Sequence, residues 1–447
     1  MEKEIVVGID IGTTKIAVFI GSRNEEGKPV ILGMGSAESI GVERGVVKNI
    51  EQTAFSIHKA VSETEEKTGF RVKEVFVGIA GHQIRNIQHR GQIMLETRGH
   101  IIKETDVHKL INDQHNLVLN AGEKIIHVIP QSYIVDGEGG ISNPVGVPGS
   151  CLEGNFNIIT GNISNIENIY RSVELAGYKV RNLILEPIAS AEAVVDETEK
   201  EAGVCLVDIG GGTTDLAIFH DKILRHTAVI PLAGNVITED IKEGCSIIKT
   251  QAEALKCRFG SCLSASARED EIIAIPGFRG REPREISMKT LAGIIQARMQ
   301  MIMEQVLFEI KSKGYERKLI AGIVLSGGGA KMKDIVQLSE FISGIDSRIG
   351  TPNDHLGGEI TEEMSHPMHA TGIGLLLEGL KQIEKEDKIF NVRMAEKLDD
   401  EVEPIMEDAE EEEIALDETT TKESKKGKMS KIIDNFLKNI FDGDGVE

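Results

Sequence analysis

The 447-residue chain lacks any run of 18 apolar residues, which excludes a helical membrane span. MEKEIVVGID enters an apolar, strand-like run within five residues and leaves no room for a signal peptide, so a cytoplasmic protein is expected. Cysteine is scarce. Cys151, Cys205, Cys245, Cys257 and Cys262 are odd in number and form no CxxC pair, which speaks against a disulfide framework and for reduced packing thiols. Basic residues nowhere form a stripe and the net charge is −22, which argues against nucleic acid as a partner. The HPMH spacing of His366 and His369 is not a usual metal-ligand pattern.

What is present is ordinary for a globular protein, with 40% hydrophobic and 27% charged residues in a length that suits two or more domains. The charge is uneven. Residues 396–423 hold 14 acidic residues against Lys397 and Lys422, a local net of −12. The stretch 391–424 has few large apolar side chains and reads as a disordered, self-repelling acidic linker.

An internal echo governs the rest. IVVGIDIGTTKIAVFIG (5–21) and VCLVDIGGGTTDLAIFH (204–220) share a buried β-branched strand, an Asp-Ile-Gly, a Gly/Thr turn and a second apolar strand. Asp10 and Asp208 occupy equivalent places, and the repeat predicts a duplicated α/β domain. The runs 72–80 and 319–328 alternate with helical patterns and fit sheets covered by helices.

Glycine in such turns lets backbone N–H groups approach a triphosphate. Gly12, Thr13 and Thr14 form one hairpin of this kind; Gly210, Gly211, Gly212, Thr213 and Thr214 form a second. Lys15 follows the first as a point charge for phosphates. An aspartate stands before each turn, and two carboxylates facing one Mg²⁺–phosphate orient the metal's waters. A third glycine run, Gly327, Gly328 and Gly329 after Ser326, suits close approach to a base or ribose, or a tight strand-to-helix turn. In LEPIASAEAV (185–194), Glu186 either positions a water or is a carboxylate favoured by a helix N-terminus.

These four elements and ATGIGLLLEGL (370–380) resemble, in order, the phosphate, adenosine and connecting motifs of the actin–hexokinase–chaperone ATPase superfamily. GVERGVVKNI (41–50), VGIAGHQI (77–84), VRNLILEP (180–187) and AEALKCRFG (252–260) are closest to the FtsA family of bacterial division actins, over about residues 4–390 and the tail. The resemblance implies an α/β, duplicated actin-like ATPase fold binding ATP and Mg²⁺, with Asp10 and Asp208 on the metal side through water and Glu186 as a third catalytic candidate. It implies subdomain 1A in 1–82 and 163–202, an inserted SHS2-like subdomain 1C in 83–162, and subdomain 2A in 203–230. Subdomain 2B then spans 231–300, and 301–390 returns through 2A to 1A.

Within the insert, strands are expected around 84–96, a helix around 104–119 and a loop over 139–149. Glu253 and Lys256 would reach ribose or adenine by resemblance, although their i, i+3 spacing also suits an exposed ion pair. Implied partners are the C-terminal peptide of FtsZ, the chain itself as an actin-like filament, and other division proteins. Implied location is the inner face of the cytoplasmic membrane at the septum. Arg279, Arg281 and Arg284 are candidates for the FtsZ peptide, or part of a solvated loop balancing Glu269, Asp270 and Glu271. Alternatives on the same hairpins are a sugar or glycerol kinase, a DnaK-type chaperone and a PilM-like pilus-assembly protein. The kinase has no use for the tail that follows, and PilM lacks it.

That tail, 425–447, holds Ile432, Ile433, Phe436, Leu437, Ile440 and Phe441 at alternating spacings of one and three, a single stripe on a helix. Lys425, Lys426, Lys428, Lys431 and Lys438 surround it, which fits an interfacial anchor on anionic lipid. Six large side chains at ~25 cal/mol per Å² contribute several kcal/mol, offset in part by helix folding. Phe436→Glu with Ile440→Glu should therefore release the protein from anionic vesicles in a flotation assay while leaving ATP binding unchanged. Equal flotation of the variant and the parent chain would remove the tail as anchor.

Overall fold

Two five-stranded sheets repeat one topology. Along the first the order is Lys179–Leu185, Glu74–Ile79, Val6–Ile11, Lys15–Arg23 and Pro29–Glu38; along the second it is Ser347–Ile349, Ile323–Ser326, Val204–Ile209, Thr214–His220 and Ile223–Ile230. The last three strands of each form an antiparallel meander and the first two add in parallel. The duplication expected from the two echoing segments is thus a duplication of whole sheets. The computed structural model describes residues 4–400 apart from 82, 96, 98, 269, 277–281, 353–355 and 359–360, and of 387–400 the backbone alone.

The central strands are apolar on both faces because both faces are covered. Val6 points into the layer between the sheets, and Val7 and Ile9 point outward against the helix Ile50–Thr68. In the second sheet Val204 and Leu206 face the shared layer, while Cys205 and Val207 face the helices Gly234–Cys245 and Met288–Ser312. The helices have sequence-coded ends. Asn49 accepts from the backbone of Gln52 to start Ile50–Thr68, and Gly69 in the left-handed region closes it.

Two helices cross in the shared layer, Glu186–Val194 and Ala370–Asp400. Their backbones meet so closely that a Cβ on Gly374 would lie 1.7 Å from the carbonyl oxygen of Ala189. Ala189, Ala191 and Ala193 keep the other side of the crossing small.

The insert is a four-stranded sheet in the order Glu138–Ile141, Glu123–Val135, Cys151–Asn162 and Arg85–Met94, with the helix Glu104–Gln114 packed on it through Leu110. It has its own core around Leu152 and Phe156. Of the stretch 139–149, expected as loop, 142–147 is loop, while 139–141 ends the edge strand and Pro148–Gly149 pairs with His100–Ile101. The insert also reaches the second sheet. Asn86 Nδ2 donates to the carbonyl of Thr227 at 2.7 Å, and Gln131 Nε2 to that of Leu224 at 2.9 Å. These bonds cap acceptors on the edge strand Ile223–Ile230.

Contacts divide the chain into a unit ending at residue 389 and a second, 390–447. Of the second unit the described part is helical, because Ala370–Asp400 continues through 391–400. The helix Ala370–Asp400 overlaps the first ten residues, 391–400, of the expected acidic linker. The rest of the linker and the tail 425–447, with all its proposed lipid contacts, lie outside the described residues.

Gly374→Ala should cost about 1–3 kcal/mol of stability, since the added methyl forces the two helices apart. A urea-unfolding midpoint identical to that of the parent chain would show that the crossing relaxes freely.

Candidate functional site

The two Gly/Thr hairpins face each other across a small cavity of about 100 Å³. Each joins the central strand of its sheet to the next, and the pairings Asp10↔Ala17 and Asp208↔Asp215 show two turns of equal length. The structural equivalents of Thr213 and Asp215 are therefore Lys15 and Ala17, so the repeated Gly-Thr-Thr triplets are offset by two positions in space. The hairpins touch. A Cβ on Gly211 would lie 2.4 Å from Cγ2 of Thr14. Ligand pockets typically enclose ~300–1,000 Å³, so anything as large as a nucleotide requires the hairpins to part.

Asp10, Glu186, Asp208 and Asp215 line the cavity, together with Thr13, Thr14, Lys15, residues 210–213, Gly327, Gly328 and Thr371. Lys15 Nζ donates to the carbonyl of Met368 at 3.0 Å and meets His369 Nδ1 at 3.2 Å. That contact ties the first hairpin to the turn that starts the helix Ala370–Asp400. Thr13 Oγ1 accepts from the backbone of Gly45 at 3.1 Å. Asp208 Oδ2 accepts from Ser190 at 2.7 Å and from Thr371 at 3.2 Å. Gly327 has φ +79°, and a Cβ there would lie 2.3 Å from Asp208 Oδ1, so only glycine fits beside that carboxylate.

Four carboxylates around one ammonium cannot all ionise away from water. Burial drives Asp10 up to about 6, with Lys15 opposing and Asp208 adding. Glu186 is raised well above the usual carboxylate range by burial, then by Asp10, Asp215 and Asp208. Burial raises Asp208 against the hydroxyls of Ser190 and Thr371 and the charge of Lys15. Asp215 rises further than Asp10, to about 8, through burial and Asp208, although Thr213 donates to it. Its Oδ1 is buried and has no hydrogen-bond partner among the described residues.

The remaining sequence candidates sit around rather than in the cavity. Gly12 lies behind the first turn with its α-carbon toward the carbonyl of Lys15, and Gly329 packs on Ile209. Thr214 is fully buried and donates to Leu232 O at 2.8 Å. Lys256 Nζ donates to Gly234 O at 2.9 Å and to Thr238 at 2.8 Å, and pairs with Glu253 at 2.8 Å. Gly234 and Asn235 in turn donate to the carbonyls of Gly210 and Gly211. Glu253 and Lys256 thus brace the second hairpin from behind. Arg284 opens the strand Arg284–Ser287 and donates to Ser246 O at 3.0 Å; Arg279 and Arg281 lie outside the described residues. Asp215 went unnoticed in the sequence because it follows the turn, on the strand the echo marked only as apolar. An aspartate between Thr214 and Leu216 in such a strand was the available signal.

Two equivalent sheets with facing hairpins, crossing helices between them and an inserted α/β unit define an actin-like ATPase fold. Known proteins agree. The family described as cell division protein FtsA matches residues 205–374, and the SHS2 domain inserted in FTSA matches residues 81–160. Cell division protein FtsA of Pseudomonas aeruginosa is 37% identical over 379 residues, which cover 85% of this chain and 90% of that one. Its Escherichia coli counterpart is 33% identical over 398 residues, covering 86% and 94%. The chain belongs to the FtsA family of cell division proteins. Among solved structures, the PilM–PilN type IV pilus biogenesis complex superposes with a TM-score of 0.61 at 14% identity, over 84% of this chain and 98% of that one. MreB5 of Spiroplasma citri bound to ADP does so with 0.50 at 15%, over 87% and 98%. At such identity these two speak for the fold alone.

A carboxyl raised above its unfolded value stabilises the folded state at low pH, and that stability is lost as pH rises through the folded value. Stability contributed by Asp10 and Asp215 is therefore complete below about pH 4 and declines through about 6 and about 8. Without nucleotide, the advantage of Asp215→Asn over the parent should be several kcal/mol larger at pH 8.5 than at pH 5, since a carboxyl raised from its ordinary value to about 8 loses ~1.4 kcal/mol per pH unit across that interval. Denaturant titrations at the two pH values check this; an equal difference at both would contradict it.

Proposed function

We propose that the chain binds ATP with Mg²⁺ between its two hairpins and assembles into actin-like filaments on the inner face of the cytoplasmic membrane, tethering FtsZ there. The observation that carries the nucleotide part is the convergence of two Gly/Thr hairpins, each backed by a buried aspartate, on one lysine. The donor set around the cavity is carboxylate and hydroxyl oxygen, which suits a hard cation that keeps its waters. Asp10 and Asp208 would act on the cation through its waters. Mg²⁺ would supply charge neutralisation at the phosphates.

Lys15 exchanges its bonds to Met368 and His369 for phosphate oxygens. Backbone N–H groups of 12–14 and 211–213 take the remaining phosphate oxygens, while that of Gly210 closes the turn on the carbonyl of Thr213. Burial, with Asp10, Asp215 and Asp208 around it, makes Glu186 hold its proton to higher pH than an ordinary carboxylate. It becomes a base for water only after positive charge has offset those neighbours, which suits slow turnover. The membership of the FtsA family supports the cellular part of the reading. The FtsZ peptide is assigned to the 231–300 region with Arg279, Arg281 and Arg284, and the lipid surface to 425–447. Each tail binds lipid reversibly, and a filament that presents many tails holds firmly by avidity.

Saturating Mg-ATP at ~100 times its dissociation constant should stabilise the folded chain by ~2.7 kcal/mol, seen as a raised melting temperature. Asp208→Ala should lose most of that rise. An unshifted melt of the parent chain would sink the nucleotide reading. Several turnovers per second on a sugar or glycerol would favour a kinase instead.

A further inference from the structure

The crossing of Glu186–Val194 with Ala370–Asp400 is built from small and aliphatic side chains, among them Ala189, Ala193, Ile373 and Leu377. Two hydroxyls interrupt it. Ser190 is fully buried and Thr371 is 9% exposed, and their oxygens lie 2.9 Å apart. Each comes from a different helix, and each also bonds the same atom, Asp208 Oδ2, at 2.7 and 3.2 Å. A buried hydroxyl without a partner costs ~1–3 kcal/mol, and Ala and Val fill the same volumes without that demand. Hydroxyls at both positions therefore make sense through the carboxylate they share.

The arrangement divides the two oxygens of Asp208. Oδ2 is taken by the two hydroxyls. No side chain among the described residues donates to Oδ1, which lies against Gly327 where the wall of the cavity is bare backbone. Asp10, across the cavity, has no such pair of side-chain hydroxyls among the described residues. The two aspartates that the sequence makes equivalent are thus held differently.

We propose that Ser190 and Thr371 are positioning residues for Asp208, holding Oδ2 from the two crossing helices so that Oδ1 is presented to the waters of a nucleotide-bound divalent cation. This rests on the nucleotide reading above. Neither residue touches the nucleotide; both act through the carboxylate, as outer partners of metal sites do. Because one donor belongs to each helix, Asp208 is held only while the helices keep their crossing.

The test is the Mg²⁺ concentration that gives half of the ATP-induced rise in melting temperature, measured on the full chain. Thr371→Val and Ser190→Ala should each raise that concentration about tenfold, with the smaller shift by ATP in EDTA unchanged. Thr371→Ser keeps the hydroxyl and should stay within about twofold of the parent. Melts without nucleotide report folding, and if Thr371→Val does not fold, Ser190→Ala decides. Midpoints equal to the parent's in the Val and Ala variants would overturn the proposal while leaving nucleotide binding intact. A Ser variant as impaired as the Val variant would assign the effect to volume and overturn it too. A parent chain that shows no shift at all would overturn the nucleotide reading, and this proposal with it.

Discussion

Everything near the cleft answers to a charge imbalance, in which Asp10, Glu186, Asp208 and Asp215 share a buried space with Lys15 as the ammonium among them. Unpaired buried charge is expensive, and the protein meets that cost locally. Burial raises all four carboxyls, Ser190 and Thr371 donate to Asp208, and Thr213 donates to Asp215. A site so loaded with negative charge is matched to a cation.

The crossing helices carry that local condition through the molecule. Asp208 bonds a hydroxyl from each, Lys15 bonds the turn that starts the second, and Glu186 is the first residue of the other. The crossing tolerates no side chain at Gly374, so a change of angle must be a rotation about a nearly fixed point. The insert meets the second sheet through Asn86 and Gln131, side-chain bonds that a rotation would have to accommodate. The cleft, both sheets and the insert are thus joined by direct contacts.

Much of this was legible in the chain. The duplicated hairpins, Lys15, Asp10, Asp208 and the crossing segments at 185–194 and 370–380 stood out because phosphate chemistry restricts turns to glycine and threonine, and close helix packing restricts faces to small residues. Glu253 and Lys256 were legible as a pair on one helix, but their bonds run to Thr238 and Gly234, positions that no spacing relates to them.

The sequence by itself determined the fold class, the family and the residues of the two turns, since each depends on short-range pattern. Only the tertiary structure decided which carboxylates share one space. Asp215 enters the cluster because antiparallel register sets it opposite Asp208, and Ser190 and Thr371 enter because two helices 181 residues apart in the chain cross there. Contacts of that kind depend on register and crossing angle, which are set by packing over whole sheets; the sequence marks Asp215 as a polar residue in an apolar strand without saying which carboxylate it meets.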